Sequence, residues 1–409
     1  MTGRTTGEAI ASCLPTPHKR RPDVLFDSDR MTTSRRDFLS LGAVSAAAAM
    51  SWPLGASTGR VEPSRWGQDE SLIRLHSNEN AYGPSAKVSE AIRSSVGEVN
   101  RYPRMQYNSL IEHIADAHHV TSDRLLLGCG STEILRMAAC AFLGARRQLI
   151  QASPTFEAME HYASAVNAEI TSVRLTQAFA HDLEGMLERV SRSTGLVYIC
   201  NPNNPTASLT ARKDLEMFIG KLPASAVVVI DEAYHHYAGT SEAYASFIDH
   251  SVADERVIVT RTFSKVFGLA GLRLGYAVAS PKVIERMRKF STEDNINVII
   301  TQAAVAALHD KEGTNDFIQR NVDDRQEFFN QAMARMVKPI DSHTNFIMMN
   351  TFHPAEEAIQ HFRKNKILIG RRFPPLDTYI RVSLGRADEM EAFWRIWDLL
   401  PYAKDFTAH

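Results

Sequence analysis

Lys265 stands in Thr262-Phe263-Ser264-Lys265, and Arg273 follows eight residues later. An amine beside hydroxyls and a guanidinium has the makings of a covalent site for an aldehyde cofactor held by its phosphate. A lysine taken alone is ordinarily a solvated surface charge. Here the surroundings argue otherwise. Arg256-Val-Ile-Val-Thr260 reads as a buried β-branched strand, and Gly268-Leu-Ala-Gly271-Leu-Arg273-Leu-Gly275 is too apolar and glycine-rich for an exposed loop.

Three more apolar runs end in polar residues of the same kind. Leu196-Val-Tyr-Ile-Cys200 leads into Asn201-Pro-Asn-Asn204-Pro205-Thr206, and Ala226-Val-Val-Val-Ile230 leads into Asp231-Glu-Ala-Tyr234. Leu125-Leu-Leu127 leads into Gly128-Cys-Gly130-Ser131-Thr132-Glu133, with a helix expected to begin at Ser131. In open α/β sheets ligands collect at the carboxyl ends of strands, so these groups can converge from distant parts of the chain. Singly, each has a plainer reading: Asp231 as a helix cap, Tyr234 as a half-buried aromatic, Asn204 as a turn residue between prolines. Together with the lysine they outweigh those readings. A dinucleotide fingerprint is excluded because Glu133 occupies the third glycine position, and no Walker lysine follows.

This set resembles the fold-type I pyridoxal-phosphate enzymes, most closely the histidinol-phosphate aminotransferase-like branch of the class I/II aminotransferases. The resemblance runs from about Leu72 to the C-terminus. It is carried by Leu75-His-Ser-Asn78-Glu79-Asn80-Ala-Tyr82-Gly83-Pro84, Arg101-Tyr102-Pro103, Asn203-Asn204-Pro205-Thr206, Asp231-Glu-Ala-Tyr234, Ser264-Lys265 through Arg273, and Tyr379-Ile-Arg381-Val382, in family order. It implies an α/β fold of the pyridoxal-phosphate transferase type: a large domain with a mostly parallel, seven-stranded sheet, and a smaller α+β C-terminal domain. Domains are expected at 58–103 (N-terminal arm and part of the small domain), 104–285 (cofactor domain) and 286–409 (small domain).

The resemblance also implies roles. Lys265 would form the Schiff base and carry the proton, while Asp231 would partner the ring nitrogen, because a nearby carboxylate favours its protonated form. Tyr234 and Asn204 would hydrogen-bond the ring 3-oxygen. Arg273, Ser264, Thr262 and the Gly130-Ser131-Thr132 turn at a helix N-terminus would hold the phosphate. Phe156 would stack on the ring, and Tyr102 would reach the phosphate of a neighbouring subunit, making the site shared across a homodimer. Arg381 would grip the substrate's carboxylate or phosphate, since a guanidinium suits either oxyanion. Arg371 is a second candidate, its register left open by the Arg371-Arg372 pair. Asn78, Asn80 and Tyr82 would line the substrate entrance. No metal site is expected.

Three departures bear on this. The family's glycine after Asn-Asn-Pro-Thr is Ala207, which would cost about 1 kcal/mol if the position needs a positive φ. The frequent proline after the second asparagine is Ala81, and Asp294-Asn295-Ile296-Asn297 lacks the usual Pro-Tyr-Pro. Both fall near the expected substrate side.

The N-terminus reads as a leader, residues 1–57. Ser34-Arg35-Arg36-Asp37-Phe38-Leu39, then the alanine-rich run to Met50 and small residues through Gly55-Ala56-Ser57, form a twin-arginine signal. The apolar run is too short for a membrane span of about 20 residues. Residues 1–30 fit no signal, and translation is expected to start at Met31 or to tolerate their loss. The protein is expected to be periplasmic or extracellular, or cytoplasmic should the signal not function. Cys13 lies in the leader, leaving Cys129, Cys140 and Cys200 without a disulfide framework.

The chain has 409 residues, 44% of them hydrophobic, enough for a large core in two lobes. A net charge of −1 argues against nucleic acid or a membrane surface as partner. The expected activity is transfer of an amino group between an amino acid, an aromatic one included, or histidinol phosphate, and a 2-oxo acid. Alternatives are a decarboxylase, oxidase or lyase using the same cofactor, and a non-catalytic exported binding protein.

Overall fold

The computed structural model describes residues 72–239, 243–248 and 254–401. Residues 1–71, with Cys13, Met31 and the twin-arginine pattern, lie outside them.

After the short β1 (Ile73–Leu75), seven strands build the central sheet: β2 (Leu125–Cys129), β3 (Gln148–Ser153), β4 (Glu169–Arg174), β5 (Thr194–Cys200), β6 (Val227–Asp231), β7 (Val257–Thr262) and β8 (Leu274–Val278). Their order is β2-β8-β7-β6-β5-β3-β4, and β8 alone runs antiparallel to its neighbours. Strands β5 and β6 are buried throughout, as a sheet covered on both faces requires.

The covering comes from α1 (Ala86–Ser95), α2 (Arg104–His118), α3 (Ser131–Phe142), α4 (Ala158–Ala165), α5 (Leu183–Glu188), α6 (Arg212–Lys221), the short α7 (His235–Ala238), α8 (Pro281–Arg288), α9 (Val298–His309) and α10 (Lys311–Ala334). The two-residue period of a strand sorts the core. Val197 and Ile199 pack with Leu110, Leu215 and Ile300 on one face. Leu196 and Tyr198 pack with Ile134, Met159 and Ile284 on the other.

The C-terminal part mixes strands and helices: β9 (Phe346–Asn350), α11 (Ala355–Lys364), β10 (Ile367–Ile369), β11 (Tyr379–Ser383) and α12 (Ala387–Trp397). Strands β9 and β11 pair antiparallel, while β10 pairs in parallel with β1. Phe328, Phe362, Phe393 and Trp397 form their core, with the rings of Phe362 and Phe393 stacked 4.7 Å apart.

Two backbone positions set the site. Gly275 faces Gly128 across β8 and β2, and a Cβ on Gly275 would strike the Ser131 backbone. Only glycine there lets the N-terminus of α3 settle onto the strand ends. Ala207 has a φ of +62°, so the left-handed cost applies, about 1–2 kcal/mol for an L-residue. Its methyl is fully buried beside Tyr234, Tyr237, Val266 and Phe346, which offsets that cost by about 1 kcal/mol. Glycine would relieve the strain but lose the methyl and make the unfolded chain more flexible. Ala207→Gly is therefore expected to change stability by less than about 1 kcal/mol. Urea unfolding checks this; a gain well beyond that value would mean the methyl contributes nothing.

Candidate active site

The strand ends open into a cavity of about 420 Å³. Its lining includes Lys265, Asp231, Tyr234, Asn204, Ser131, Thr132, Phe156, Thr262, Ser264, Arg273, Asn78, Arg371 and Arg381, so most of the expected residues meet there.

Lys265 follows β7 and points at the loop after β1, where its Nζ donates to the carbonyls of Asn78 at 2.9 Å and Ser77 at 3.3 Å. That loop is tightly held. Asn78 adopts a φ of +53°, its N–H donates to Ser383 Oγ at 2.8 Å, and Asn345 Nδ2 donates to the Asn78 and Glu79 carbonyls. Asn78 Nδ2 in turn donates to the Tyr234 hydroxyl at 3.0 Å.

Burial, with the nearby Arg381 charge adding to it, lowers the Lys265 pKa from 10.5 to about 8. In the unfolded chain the lysine keeps its ordinary value. Between these two values the unfolded chain binds more protons than the folded one, so stability rises with pH across that window. The cofactor-free protein is expected to gain stability from about pH 8 to about 10.5 relative to a Lys265→Met variant. Parallel pH profiles of the two denaturation midpoints would rule this out.

Asp231 closes β6 and is 1% exposed. Its Oδ2 accepts from the Tyr198 hydroxyl at 2.9 Å and its Oδ1 from the Ala233 N–H at 3.2 Å. Burial raises its pKa and the Tyr198 hydrogen bond opposes that rise.

The anion cradle forms where α3 meets β8. Arg273 has a φ of +60° at the turn into β8, which aims its guanidinium back toward Ser264 Oγ and Thr132 Oγ1, each 3.4 Å away. Gly130 lies behind the cavity lining, with a φ of +76°; a Cβ there would collide with that guanidinium. Thr262 Oγ1 accepts from the Ser264 N–H and donates to its hydroxyl, fixing both. The free N–H groups of the α3 N-terminus complete an anion site.

Arg381 extends from β11, 8% exposed. Its Nη1 donates to Asn204 Oδ1 at 2.7 Å and its Nη2 to the His76 carbonyl at 2.6 Å, while Nε is buried without a partner. Burial lowers its pKa to about 10, which leaves it charged at physiological pH. Arg371, half-exposed at the mouth, pairs with Glu157 and lies 4.2 Å from the Phe373 ring centroid. Arg372 turns away to Asp377, and of the two arginines Arg371 lines the cavity.

Asn80 and Tyr82, expected at the entrance, are not brought into this cavity. Asn80 Nδ2 donates to the Val266 carbonyl, its Oδ1 accepts from the Tyr82 N–H, and the Tyr82 hydroxyl donates to Asp324 at 3.0 Å. This turn, ending at Gly83 with a φ of +71°, carries both side chains and Ala81 toward α10. The Asp294–Asn297 segment also stays outside the lining: Asn297 Oδ1 accepts from the Ile300 N–H and caps α9. Tyr102 stands on the surface, 76% exposed.

Sequence reasoning did not find Tyr198, His76, Glu157, Asn345 or Ser383. Tyr198 alone carried a local signal, a polar-tipped residue within an otherwise apolar strand.

A doubly wound sheet whose strand ends gather a lysine, a buried aspartate, a tyrosine and an anion cradle defines a fold-type I pyridoxal-phosphate enzyme. The chain belongs to the class I and II aminotransferase family, whose profile matches residues 70–395. It is 35% identical over 328 residues to the histidinol-phosphate aminotransferase of Staphylococcus carnosus (strain TM300), covering 80% of this chain and 90% of that one. Its identity to the Bacillus subtilis (strain 168) histidinol-phosphate aminotransferase is 31% over 329 residues, 80% of this chain and 91% of that one. The crystal structure of the Sinorhizobium meliloti histidinol-phosphate aminotransferase in complex with pyridoxal-5'-phosphate superposes with a TM-score of 0.75 at 25% identity, covering 80% and 92% of the two chains. The protein is a pyridoxal-phosphate-dependent aminotransferase. Its residues fit that cofactor: the missing Cβ of Gly130 leaves room for the Arg273 guanidinium, and amine, carboxylate and anion donors share one cavity.

Proposed function

We propose that the chain moves an amino group between an amino acid and a 2-oxo acid, with Lys265 as the catalytic amine. The observation that carries this is Lys265 in one cavity with Asp231 and the Arg273 cradle. When bound, pyridoxal phosphate supplies an electron sink for the carbanion at the substrate α-carbon. Lys265 Nζ takes the proton from the donor's α-carbon and, in the return half-reaction, gives one to the α-carbon of the former 2-oxo acid, a task suited to an amine whose pKa burial has lowered. Asp231 would hold the ring nitrogen, and Tyr234 and Asn204 the ring oxygen. Ser131, Thr132, Thr262, Ser264, Arg273 and the Gly130 turn would hold the phosphate. Phe156 would pack against the ring. Arg381, kept in place by Asn204 and His76, binds the substrate's carboxylate.

Arg371 and Glu157 meet the far end of the donor. A phosphate there would have to lie beside the Glu157 carboxylate, whereas an aromatic end finds Phe156 and Phe373. Aromatic or other uncharged amino acids are thus favoured over histidinol phosphate, the substrate in its relatives' names. Glu157→Gln is expected to raise kcat/KM for histidinol phosphate relative to phenylalanine by about 5-fold, the value of a partly exposed charge interaction of about 1 kcal/mol. An unchanged ratio would remove Glu157 from donor selection.

A homodimer with Tyr102 reaching its partner's cofactor site is part of this reading. Support comes from the exposed apolar group Val96, Val99, Tyr102 and Met105. Export by the twin-arginine route rests on Ser34–Leu39 and the alanine run; it would place the enzyme outside the cytoplasm with its cofactor already loaded. Replacing Arg35 and Arg36 with lysine and following the protein by cell fractionation tests it.

The whole proposal is tested by the visible spectrum of the purified protein. A yellow band bleached by one amino donor and restored by a 2-oxo acid is expected. A yellow protein that loses carbon dioxide or makes peroxide, with no acceptor needed, would overturn transamination.

A further inference from the structure

Tyr198 is fully buried in β5 beside Val229 of β6, within the apolar cluster that also holds Leu149 and Met159, so a phenylalanine ring would suit the place. Its ring lies outside the cavity lining, so it touches neither cofactor nor substrate. Burying a hydroxyl in such surroundings is costly unless it is paired. Its pairing is specific: the phenol donates to Asp231 Oδ2 at 2.9 Å from the strand next to β6, where Cys200 is the register partner of Asp231. The carboxylate also accepts from the Ala233 N–H, and the Thr260 hydroxyl favours its charged form to a lesser degree than Tyr198.

That hydrogen bond answers a conflict within the site. A carboxylate as deeply buried as Asp231 is driven toward its neutral form, which gives a protonated ring nitrogen no charge to pair with. A donor on Oδ2 favours the anion. The adjacent Cys200 thiol does not take that part, because it donates to the Pro202 carbonyl.

We propose that Tyr198 is a positioning residue for the reaction, holding Asp231 ionised and oriented so that it can meet the cofactor's ring nitrogen. The inference rests on the reading of Asp231 as the ring-nitrogen partner. It goes beyond that reading in assigning the state of Asp231 to a residue that never reaches the cavity.

The test compares two cofactors on the cofactor-free protein: pyridoxal phosphate and its 1-deaza analogue, which has carbon in place of the ring nitrogen. Tyr198→Phe keeps the ring and removes only the hydroxyl, and circular dichroism establishes that it folds. The wild-type preference for pyridoxal phosphate over the analogue, read as a ratio of dissociation constants, is expected to shrink about 10-fold in Tyr198→Phe, the lower range for a hydrogen bond to a charged group. In an Asp231→Asn background the same substitution is expected to leave the ratio unchanged. Equal weakening of both cofactors by Tyr198→Phe would reduce Tyr198 to a packing residue and overturn the proposal, as would an unchanged ratio. A wild-type ratio that Asp231→Asn fails to alter would instead overturn the Asp231 reading, which separates the two failures.

Discussion

Lys265→Ala is expected to lower turnover by about 10⁴-fold or more, the span of a positioned acid–base group to which the lost covalent attachment adds. Cofactor binding itself should survive. The cradle of Arg273, Ser264, Thr262 and the α3 N-terminus contains no atom of Lys265, so the phosphate keeps its donors. The variant should therefore take up pyridoxal phosphate without the band of a lysine-bound cofactor, and lose it on dialysis. An added small amine such as methylamine should restore part of the activity, because the missing function is an amine at one place. Full turnover in the variant would end the mechanism proposed for this site.

Arg381→Ala is expected to raise KM for carboxylate donors about 100-fold, which corresponds to losing a charged, hydrogen-bonded pair of roughly 3 kcal/mol. Structure supports so large a value because Arg381 is already buried and held by Asn204 and His76, so little ordering remains to be done on binding. Arg381→Lys should recover only part of it, since an ammonium cannot make the two parallel contacts of a guanidinium. Comparing phenylalanine with phenethylamine isolates the effect, because the amine has no carboxylate to lose. An unchanged KM for phenylalanine would move the carboxylate site to Arg371.

The central residues were legible because each sits within a few positions of an apolar strand, and strand ends of a parallel sheet converge by construction. That rule brings Lys265, Asp231, Tyr234 and Asn204 to one place, while their expected roles came from the family resemblance. The small C-terminal layer was legible too, since Ile367-Leu-Ile369 is a short apolar run and Ile380-Arg-Val-Ser383 alternates in polarity. What escaped was second in line from the chemistry. Asn345 and Ser383 act on the Asn78 loop from strands far along the chain, and His76 contributes a backbone carbonyl that no side-chain pattern announces. Asn80 and Tyr82 lie apart from the cavity for the opposite reason. They adjoin Asn78 in sequence, but the chain reverses at Gly83 and delivers them to α10.

The parallel pairing of β1 with β10 has a bearing on how the protein is made. Ile73 aligns with Ile367, so the strand that introduces the Asn78 loop stays unpartnered until β10 has left the ribosome. The central sheet can consolidate earlier in synthesis, but the carbonyls that receive Lys265 are fixed only once β10 has followed. Closing so long a loop is slow, and contacts of this separation tend to form late. A nascent chain cut short before β10 would then carry a finished sheet and an unfinished active site.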